Sequence, residues 1–241
     1  MPSPGYPERR LLLTRMAAVD ERRTAFVFDL DGTLVDSVYQ HVLAWREALE
    51  RAGIELSVWR IHRKVGMSGG LFANALLRET GREVTDEDAA LLRRLHAEAY
   101  AARAAQVRPL PGAVDLLRRL TAGEVPWAIA TSSYRESSGP TMRMLEVPDG
   151  VPIITRDLVQ HAKPDPDLFL HAARELAVDV EDCVVVGDSV WDLLAARRAR
   201  ALGVGLLSGG YGREELERAG AYRVYDDPAD LLAHLDEVGA R

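Results

Sequence analysis

The sequence predicts an α/β fold in which a parallel sheet is interrupted, after its first strand, by a block of helices. A short apolar, β-prone run precedes residue 37, and further runs alternate with helical segments after residue 107. Residues 37–107 instead have apolar side chains at helical spacing and no convincing strand. Polar residues directly follow several of the apolar runs, as they do at the carboxyl ends of buried parallel strands.

These patterns divide the chain into a loose tail at 1–22, an α/β core at 23–36 and 108–241, and a helical subdomain at 37–107. The first core strand is the continuous apolar run 24–28. In the subdomain, Ser37 and Thr85 are suitable N-cap residues for two of the predicted helices. The helices predicted there span 38–52, 70–79 and 85–105.

After residue 109 the alternation of strands and helices resumes. The run 183–186 is the most β-branched of the strands and ends in Gly-Asp-Ser. The predicted strands are 127–130, 153–154, 183–186 and 204–207. The predicted helices are 113–120, 166–176, 190–200 and 231–238.

Composition excludes several functional classes. The 241 residues carry a formal net charge of −7, which argues against a broad nucleic-acid interface. The single cysteine, Cys183, cannot form an intrachain disulfide and fits a reducing cytoplasm. No stretch approaches the roughly 20 apolar residues of a membrane span, and the run Leu11–Leu13 is too short for a signal-peptide core. We therefore expect a cytoplasmic protein without a nucleic-acid or membrane partner.

Three predicted strands end in polar clusters, and the carboxyl ends of parallel strands converge at one edge of the sheet. Adjacent carboxylates repel one another unless a cation or a proton intervenes, and Mg²⁺ is a cation that carboxylates hold well. A carboxylate can also attack phosphorus as a nucleophile while a second one transfers protons. The clusters are Asp29 with Asp31, Thr131 with Ser132, and Asp188 with Asp192.

Lys163 is a further candidate because lysine is rare in this chain. Of the 30 Lys and Arg residues, only Lys64 and Lys163 are lysines. A lysine near the carboxylates would offset the charge of a nucleophile and of a phosphoryl group. Taken singly, each motif also has a structural interpretation: an Asx turn at Asp29, a solvated loop at Lys163, a strand-end cap at Thr131.

Taken together, the motifs resemble the four ordered motifs of the haloacid dehalogenase-like (HAD) superfamily. The matching segments are Asp29-Leu30-Asp31-Gly32-Thr33-Leu34, Thr131, Lys163-Pro164 and Gly187-Asp188-Ser189-x-x-Asp192. The resemblance covers about residues 24–240 and is to members with a helical cap between the first and second motifs. It implies a Rossmann-like parallel-sheet core with an inserted α-helical cap subdomain.

The resemblance also implies roles for the matching residues. Asp29 would be the nucleophile and a Mg²⁺ ligand, and Asp31 the general acid and base with its backbone carbonyl on the metal. Thr131 would bind the phosphoryl group, and Lys163 would orient the nucleophile. Asp188 would be a metal ligand, and Asp192 would support the metal site or Lys163. We further expect the substrate to be contacted by Gly32, His41 and Ser132.

Asp31 favours phosphoryl transfer, because haloacid dehalogenases proper lack an acid at that position. The segment Asp36-Ser37-x-x-x-His41-x-x-Ala44-Trp45 resembles the β-phosphoglucomutase and sugar-phosphate phosphatase group. Gly69 and Tyr134 stand where the mutases carry Arg and Lys, so we expect a phosphatase acting on a small phosphate ester, with a mutase as the alternative.

A non-catalytic phospho-receiver is a third hypothesis. Receiver domains also gather carboxylates and a lysine around Mg²⁺, but they are about half this length and have no helical insertion. A base such as Asp31 beside an acyl phosphate would shorten the life of the switch. We expect the enzyme to be a monomer or a homodimer.

Overall fold

The computed structural model describes residues 24–67, 69–81 and 85–239, so the predicted tail at 1–22 lies outside the described residues. Strands form in the short apolar runs, whose β-branched and aromatic side chains pack on a pleated surface. The strands in the described part are β1 (Ala25–Phe28), β2 (Val35–Asp36), β3 (Arg108–Pro109), β4 (Trp127–Ala130), β5 (Ile153–Ile154), β6 (Cys183–Gly187), β7 (Leu202–Leu206) and β8 (Ala221–Tyr225).

Six of these strands form one parallel sheet in the order β5-β4-β1-β6-β7-β8. The register places Phe28 beside Ile129 on one side and beside Val186 on the other. All four residues of β1 are buried, as expected of a central parallel strand. The sheet confirms the predicted α/β fold class.

Helices connect the strands and fill the segment between β2 and β3. They are α1 (Val38–Arg51), α2 (Val58–His62), α3 (Gly69–Glu79), α4 (Asp86–Ala101), α5 (Ala113–Ala122), α6 (Arg135–Met144), α7 (Asp167–Glu175), α8 (Val190–Ala199), α9 (Arg213–Ala219) and α10 (Pro228–Ala233). None of the helices in the described ranges combines the length and the hydropathy that crossing a membrane requires.

Alternate residues of the central strands face two separate cores. Phe26 and Phe28 point to one face and pack with apolar residues of α5 and α10. Ala25 and Val27 point to the other face and pack with α7 and α8. This alternation follows from the two-residue period of a strand and leaves the carboxyl-terminal edge of the sheet free for polar side chains.

The helices α1–α4 have a core of their own. Val38, Val42, Trp45 and Leu49 lie at helical spacing on one face of α1 and pack against apolar residues of α2, α3 and α4. The strands β2 and β3 pair antiparallel at the base of this block, with Val35 opposite Pro109. The chain thus leaves and re-enters the core at one place, and the helical block stands over the carboxyl-terminal edge of the sheet.

Several elements differ from the sequence-based expectation. The helix predicted at 85–105 ends at Ala101 and is followed by a 3-10 turn at Ala104–Gln106. The strand β8 was not predicted, because it is an exposed edge strand with Arg223 at its centre. The helix α6 was not predicted either, because its sequence contains Ser-Gly-Pro and lacks an apolar period.

Candidate active site

The predicted site residues meet at the carboxyl-terminal edge of the sheet. Asp29 follows β1, Thr131 follows β4 and Asp188 follows β6. Because β1 lies between β4 and β6, these three residues stand side by side. The Asp29 N–H donates to the Val186 carbonyl at 2.9 Å, which extends the sheet pairing to the site itself.

Lys163 is buried between two carboxylates. Its Nζ contacts Asp29 Oδ1 and lies 2.8 Å from Asp192 Oδ1, and the lysine side chain is only 1% exposed. Asp192 is itself fixed as the acid of a capping box at the start of α8, where its Oδ2 accepts from the Ser189 N–H at 3.1 Å. Asp192 therefore holds Lys163 against Asp29.

The carboxylates outnumber the positive charge beside them. Burial raises the pKa of Asp29 to about 7 and, together with repulsion from Asp192 and Asp29, raises the pKa of Asp188 well above its usual value. Burial lowers the pKa of Lys163, but the adjacent carboxylates outweigh this and keep the ammonium protonated. One buried ammonium thus faces three buried carboxyl groups, and such a cluster is stabilised by a further cation.

The donor set fits a divalent metal ion. Carboxylate oxygens of Asp29, Asp188 and Asp192 lie within 4.8 Å of one another. Hard oxygen donors at this spacing suit Mg²⁺. Asp192 Oδ2 accepts from the Ser189 hydroxyl, whereas its buried Oδ1 lies 2.8 Å from Lys163 Nζ but has no hydrogen-bond partner among the described residues.

Two glycines make room for Asp188. A Cβ atom on Gly209 would lie 1.8 Å from Asp188 Oδ2, and one on Gly32 would lie 2.6 Å from the same oxygen. The Ser208 hydroxyl donates to the Gly32 carbonyl at 2.6 Å and joins the two loops. In addition, the Thr33 hydroxyl donates to Asp188 Oδ1 at 3.1 Å. The loops therefore fix the position of Asp188.

The side chain of Asp31 lies apart from the three other carboxylates. Its Oδ1 accepts from the Ser37 hydroxyl at 2.6 Å and lies 3.2 Å from His41 Nε2, while its Oδ2 accepts from the Ser133 hydroxyl at 2.9 Å. Burial raises the pKa of Asp31, but the His41 ring and the two hydroxyl groups outweigh it and hold that pKa well below its usual value. Coordination of a metal by its backbone carbonyl stays a prediction.

His41 links Asp31 to the helical block. Its Nδ1 lies 3.1 Å from His96 Nε2, and its ring stacks on Tyr100 with 3.9 Å between ring centroids. Burial, together with the nearby His41, lowers the pKa of His96 well below its usual value, so His96 is neutral. The acid–base candidate is therefore connected to α1 and α4 rather than to the core alone.

Thr131 and Ser132 have contacts of their own. The buried Thr131 hydroxyl accepts from the Ser133 N–H at 3.0 Å, as in an ordinary turn. The Ser132 hydroxyl donates to the Gly66 carbonyl at 3.2 Å, across from the helical block. Both residues border the cavity described next, and their contacts to a substrate, like that of Gly32, stay predictions.

A cavity of about 640 Å³ lies between the sheet edge and the helices. Asp29, Asp31 and Thr131 line its floor, and residues of α1, α3 and α4 line its walls. This cavity has room for a small organic molecule whose phosphate rests at the floor.

Sequence reasoning did not identify several contacting residues. Ser37 lies one helical turn before His41, and Ser133 follows Thr131 by two residues, so both are close in sequence to residues that were singled out. The contribution of His96 depends on the packing of α4 against α1, and that of Gly209 on the path of the loop after β7. His96 has no local sequence signal, whereas Gly209 belongs to a glycine-rich run at 209–212 that is typical of a turn.

Comparison with known proteins agrees with this geometry. A family model described as haloacid dehalogenase-like hydrolase matches residues 24–200. Hexitol phosphatase A from Escherichia coli (strain K12) is 32% identical over 182 residues, which cover 74% of this chain and 80% of that protein. β-Phosphoglucomutase from Bacillus subtilis (strain 168) is 29% identical over 216 residues, covering 88% and 92% of the two chains.

A solved structure is more similar still. The crystal structure of a hydrolase from Pseudomonas syringae has a TM-score of 0.87 and 54% sequence identity, and the match covers 90% of this chain and 99% of that one. The four motifs, the sheet order and these relatives all agree. The chain therefore belongs to the haloacid dehalogenase-like hydrolase family and is an enzyme of the phosphatase and phosphomutase type.

Proposed function

We propose that the protein is a Mg²⁺-dependent phosphatase that hydrolyses a small phosphorylated metabolite through an aspartyl-phosphate at Asp29. The observation that carries this proposal is the position of the Asp29 carboxylate, which lies on the cavity floor against Lys163 and next to Asp188. Oxygens of Asp29 and Asp188 would hold the metal, together with the Asp31 carbonyl. When bound, the metal would neutralise charge on the carboxylates and on the phosphate.

In the first step an oxygen of Asp29 attacks phosphorus, and the bond from phosphorus to the ester oxygen breaks. The leaving alkoxide takes a proton from Asp31. In the second step water attacks phosphorus and gives its proton to Asp31, and the bond from phosphorus to Asp29 breaks. Lys163 keeps Asp29 oriented and offsets charge throughout.

The contacts of Asp31 supply a means of changing its acidity. His41, Ser37 and Ser133 all stabilise its ionised form in this structure. Rotation of the side chain toward the substrate would remove these contacts, so the pKa of Asp31 would rise and the group would become able to carry a proton. We propose that Asp31 acts as the acid only after leaving His41.

The mutase alternative is supported by the β-phosphoglucomutase relative and by the His41 segment. A mutase must retain a second phosphate, which usually takes cations. The sequence offers Arg60, Arg63, Lys64 and Arg135 as substitutes for the missing mutase cations. None of these four is among the residues that line the cavity, and Arg93 is the only lysine or arginine among the described residues that does; because holding a second phosphate through a mutase cycle usually takes more than one cation, we favour the phosphatase.

The ion pairs of the helical block explain why three of these cations are unavailable. Arg60 and Lys64 pair with Glu79, and Arg63 pairs with Glu215 of the core. Arg135 is exposed at the start of α6, where its backbone N–H donates to Asp157 Oδ1 at 3.0 Å. Arg60 and Lys64 therefore hold the helical block together, and Arg63 attaches it to the core.

The test is phosphate release from a panel of sugar phosphates, hexitol phosphates, phosphoglycolate and nucleotides. We expect turnover with Mg²⁺ by the wild type, and at least a thousandfold less by Asp29→Asn, which keeps the size of the side chain. Equal turnover by the two proteins would reject Asp29 as the nucleophile. Phosphorus NMR after incubation with a hexose 1-phosphate distinguishes the phosphatase from the mutase, because a mutase gives the isomeric phosphate and a phosphatase gives free phosphate.

A further inference from the structure

The cavity has room for more than a two-carbon leaving group, and much of its wall is apolar. Beyond Asp29 and Asp31, its walls include Val65, Met67 and Phe72, and Trp45 stacks on Phe72 with 4.3 Å between ring centroids. Such walls accept the carbon face of a sugar-sized chain.

One face of α4 also lines this cavity, and this face carries a positively charged side chain, that of Arg93. The lining residues are Arg93, His96, Ala97, Tyr100 and Ala101. Their spacing of three and four residues places them in one row along the helix. Arg93 is half-buried and is the only lysine or arginine among the described residues that line the cavity. His96 is neutral, so it adds no second cation.

Arg93 has no carboxylate partner within the described residues. Its neighbour Arg94 pairs with Glu98 at 2.7 Å, and Arg103 of the same block pairs with Glu47 at 2.8 Å. An arginine is always charged, and a half-buried guanidinium beside apolar walls is stabilised by an anion. Among the described residues, Arg93 is thus a cation that faces the substrate cavity without a carboxylate partner.

The position of Arg93 indicates where a second anionic group of the substrate would lie. Tyr100 stacks on His41, which contacts Asp31 at the reacting end. Arg93 precedes His96, which also contacts His41, by three residues and Tyr100 by seven, which is about 4.5 Å and 10.5 Å along the helix axis. An anion bound by Arg93 would therefore lie against the α4 wall of the cavity, apart from the carboxylates that would hold the phosphate.

Resting on the proposed phosphatase activity, we propose that Arg93 is a specificity-determining residue that binds a second anionic group at the far end of the substrate. The substrate class is a phosphate monoester that carries a carboxylate or a second phosphate away from the reacting phosphoryl group. The apolar walls contact the carbon chain, and Arg93 contacts the second anion with its planar guanidinium.

Three probes with the same six-carbon chain test this inference. Glucitol 6-phosphate has a hydroxymethyl group at the far end, 6-phosphogluconate has a carboxylate there, and glucitol 1,6-bisphosphate has a phosphate. We expect the wild-type kcat/KM to be at least about tenfold higher for one of the two anionic probes than for glucitol 6-phosphate. The better of the two identifies the anion.

Arg93→Ala should lower kcat/KM by about ten- to a hundredfold for the preferred anionic probe and by less than about threefold for glucitol 6-phosphate. Arg93→Lys should restore part of the preference. The matched control is Arg94→Ala, which removes an adjacent exposed guanidinium that pairs with Glu98 and should change neither value. Equal activity of the wild type on all three probes, or an equal loss on all three in Arg93→Ala, overturns the inference.

Glu136 also lines the cavity and provides a second check. If Arg93 instead paired with Glu136 on closure, Glu136→Gln would reproduce the loss seen in Arg93→Ala on all probes, and the inference would be wrong. We expect Glu136→Gln to keep the preference for the anionic probe.

Calorimetric binding to Asp29→Asn separates this inference from the proposed function, because binding needs no turnover. We expect tighter binding of the preferred anionic probe than of glucitol 6-phosphate, and loss of that difference in the Asp29→Asn, Arg93→Ala double variant. This result without hydrolysis by the wild type would reject only the phosphatase proposal. If the wild type hydrolyses the probes but the anionic probe binds no more tightly than glucitol 6-phosphate, or the double variant keeps the difference, only the role of Arg93 would be rejected.

Discussion

The replacement Lys163→Met tests the electrostatic account of the site. Lys163 is buried, contacts Asp29 and lies 2.8 Å from Asp192. Methionine has a similar length and is apolar, so the variant removes the ammonium while leaving little empty space. Two buried carboxylates then lose their shared counter-charge.

The expected loss follows from the burial of both partners. Removing one member of a buried ion pair leaves an uncompensated buried charge and costs about 3–5 kcal/mol of unfolding free energy. The only other lysine is the matched control, because Lys64 pairs with Glu79 at side-chain exposures of 20% and 26%. Lys64→Met should cost less than about 1 kcal/mol.

The loss should also depend on pH. Burial raises the pKa of Asp29 from 3.8 to about 7 even with Lys163 present, and removing the ammonium raises it further. A carboxyl group with a raised pKa binds more protons in the folded state, so the folded state loses stability as pH rises between the two pKa values. The deficit of Lys163→Met should therefore be large near pH 8 and clearly smaller near pH 5.5.

Urea unfolding followed by circular dichroism, with a chelator present, measures this difference at both pH values. Loss of activity alone would not test the reasoning, since any damage to the site lowers turnover. A Lys163→Met deficit no larger than that of Lys64→Met, or one that does not shrink at the lower pH, would refute it.

Three further predictions concern the metal site and Asp31. Asp188→Asn removes an uncompensated buried charge, so near pH 8 it should raise the unfolding free energy of the metal-free protein by about 1–2 kcal/mol. In the same urea titration, added Mg²⁺ should stabilise this variant less than it stabilises the wild type. Gly209→Ala should weaken calorimetric Mg²⁺ binding at least about tenfold, because its Cβ would displace Asp188 Oδ2, while Gly139→Ala meets no atom within 4 Å and should leave binding unchanged. His41→Ala should raise the pKa of Asp31, and because Asp31 must be protonated to protonate the leaving group, the alkaline limb of the kcat/KM profile should move to higher pH; an unchanged limb contradicts the role of His41.

Much of the architecture was accessible from the sequence because it depends on local patterns. The buried run of β1 and the β-branched run of β6 mark two central strands, and the polar residues after them mark the functional edge. Helix α4 begins where Thr85 was expected to cap it, and its side chain accepts from the Asp88 N–H. Such signals involve residues within one turn of each other.

What the sequence did not indicate depends on contacts between distant segments. His96 and Arg93 reach the cavity only because α4 packs beside α1 over the sheet, and no spacing rule places them there. Contacts with Ser37, His41 and Ser133 determine the direction of the Asp31 side chain, and the Asp-x-Asp motif alone does not indicate that direction. Gly209 matters only because its loop returns to Asp188.

The most direct test of the central claim is to trap the phosphoryl group on Asp29. Asp31→Asn lacks the base that would activate water, and p-nitrophenyl phosphate has a leaving group that departs without protonation. After rapid acid quenching and digestion, mass spectrometry should find one phosphoryl group on the peptide that contains Asp29. A phosphoryl group on another residue, or none on Asp29 while the wild type turns over, would contradict the account.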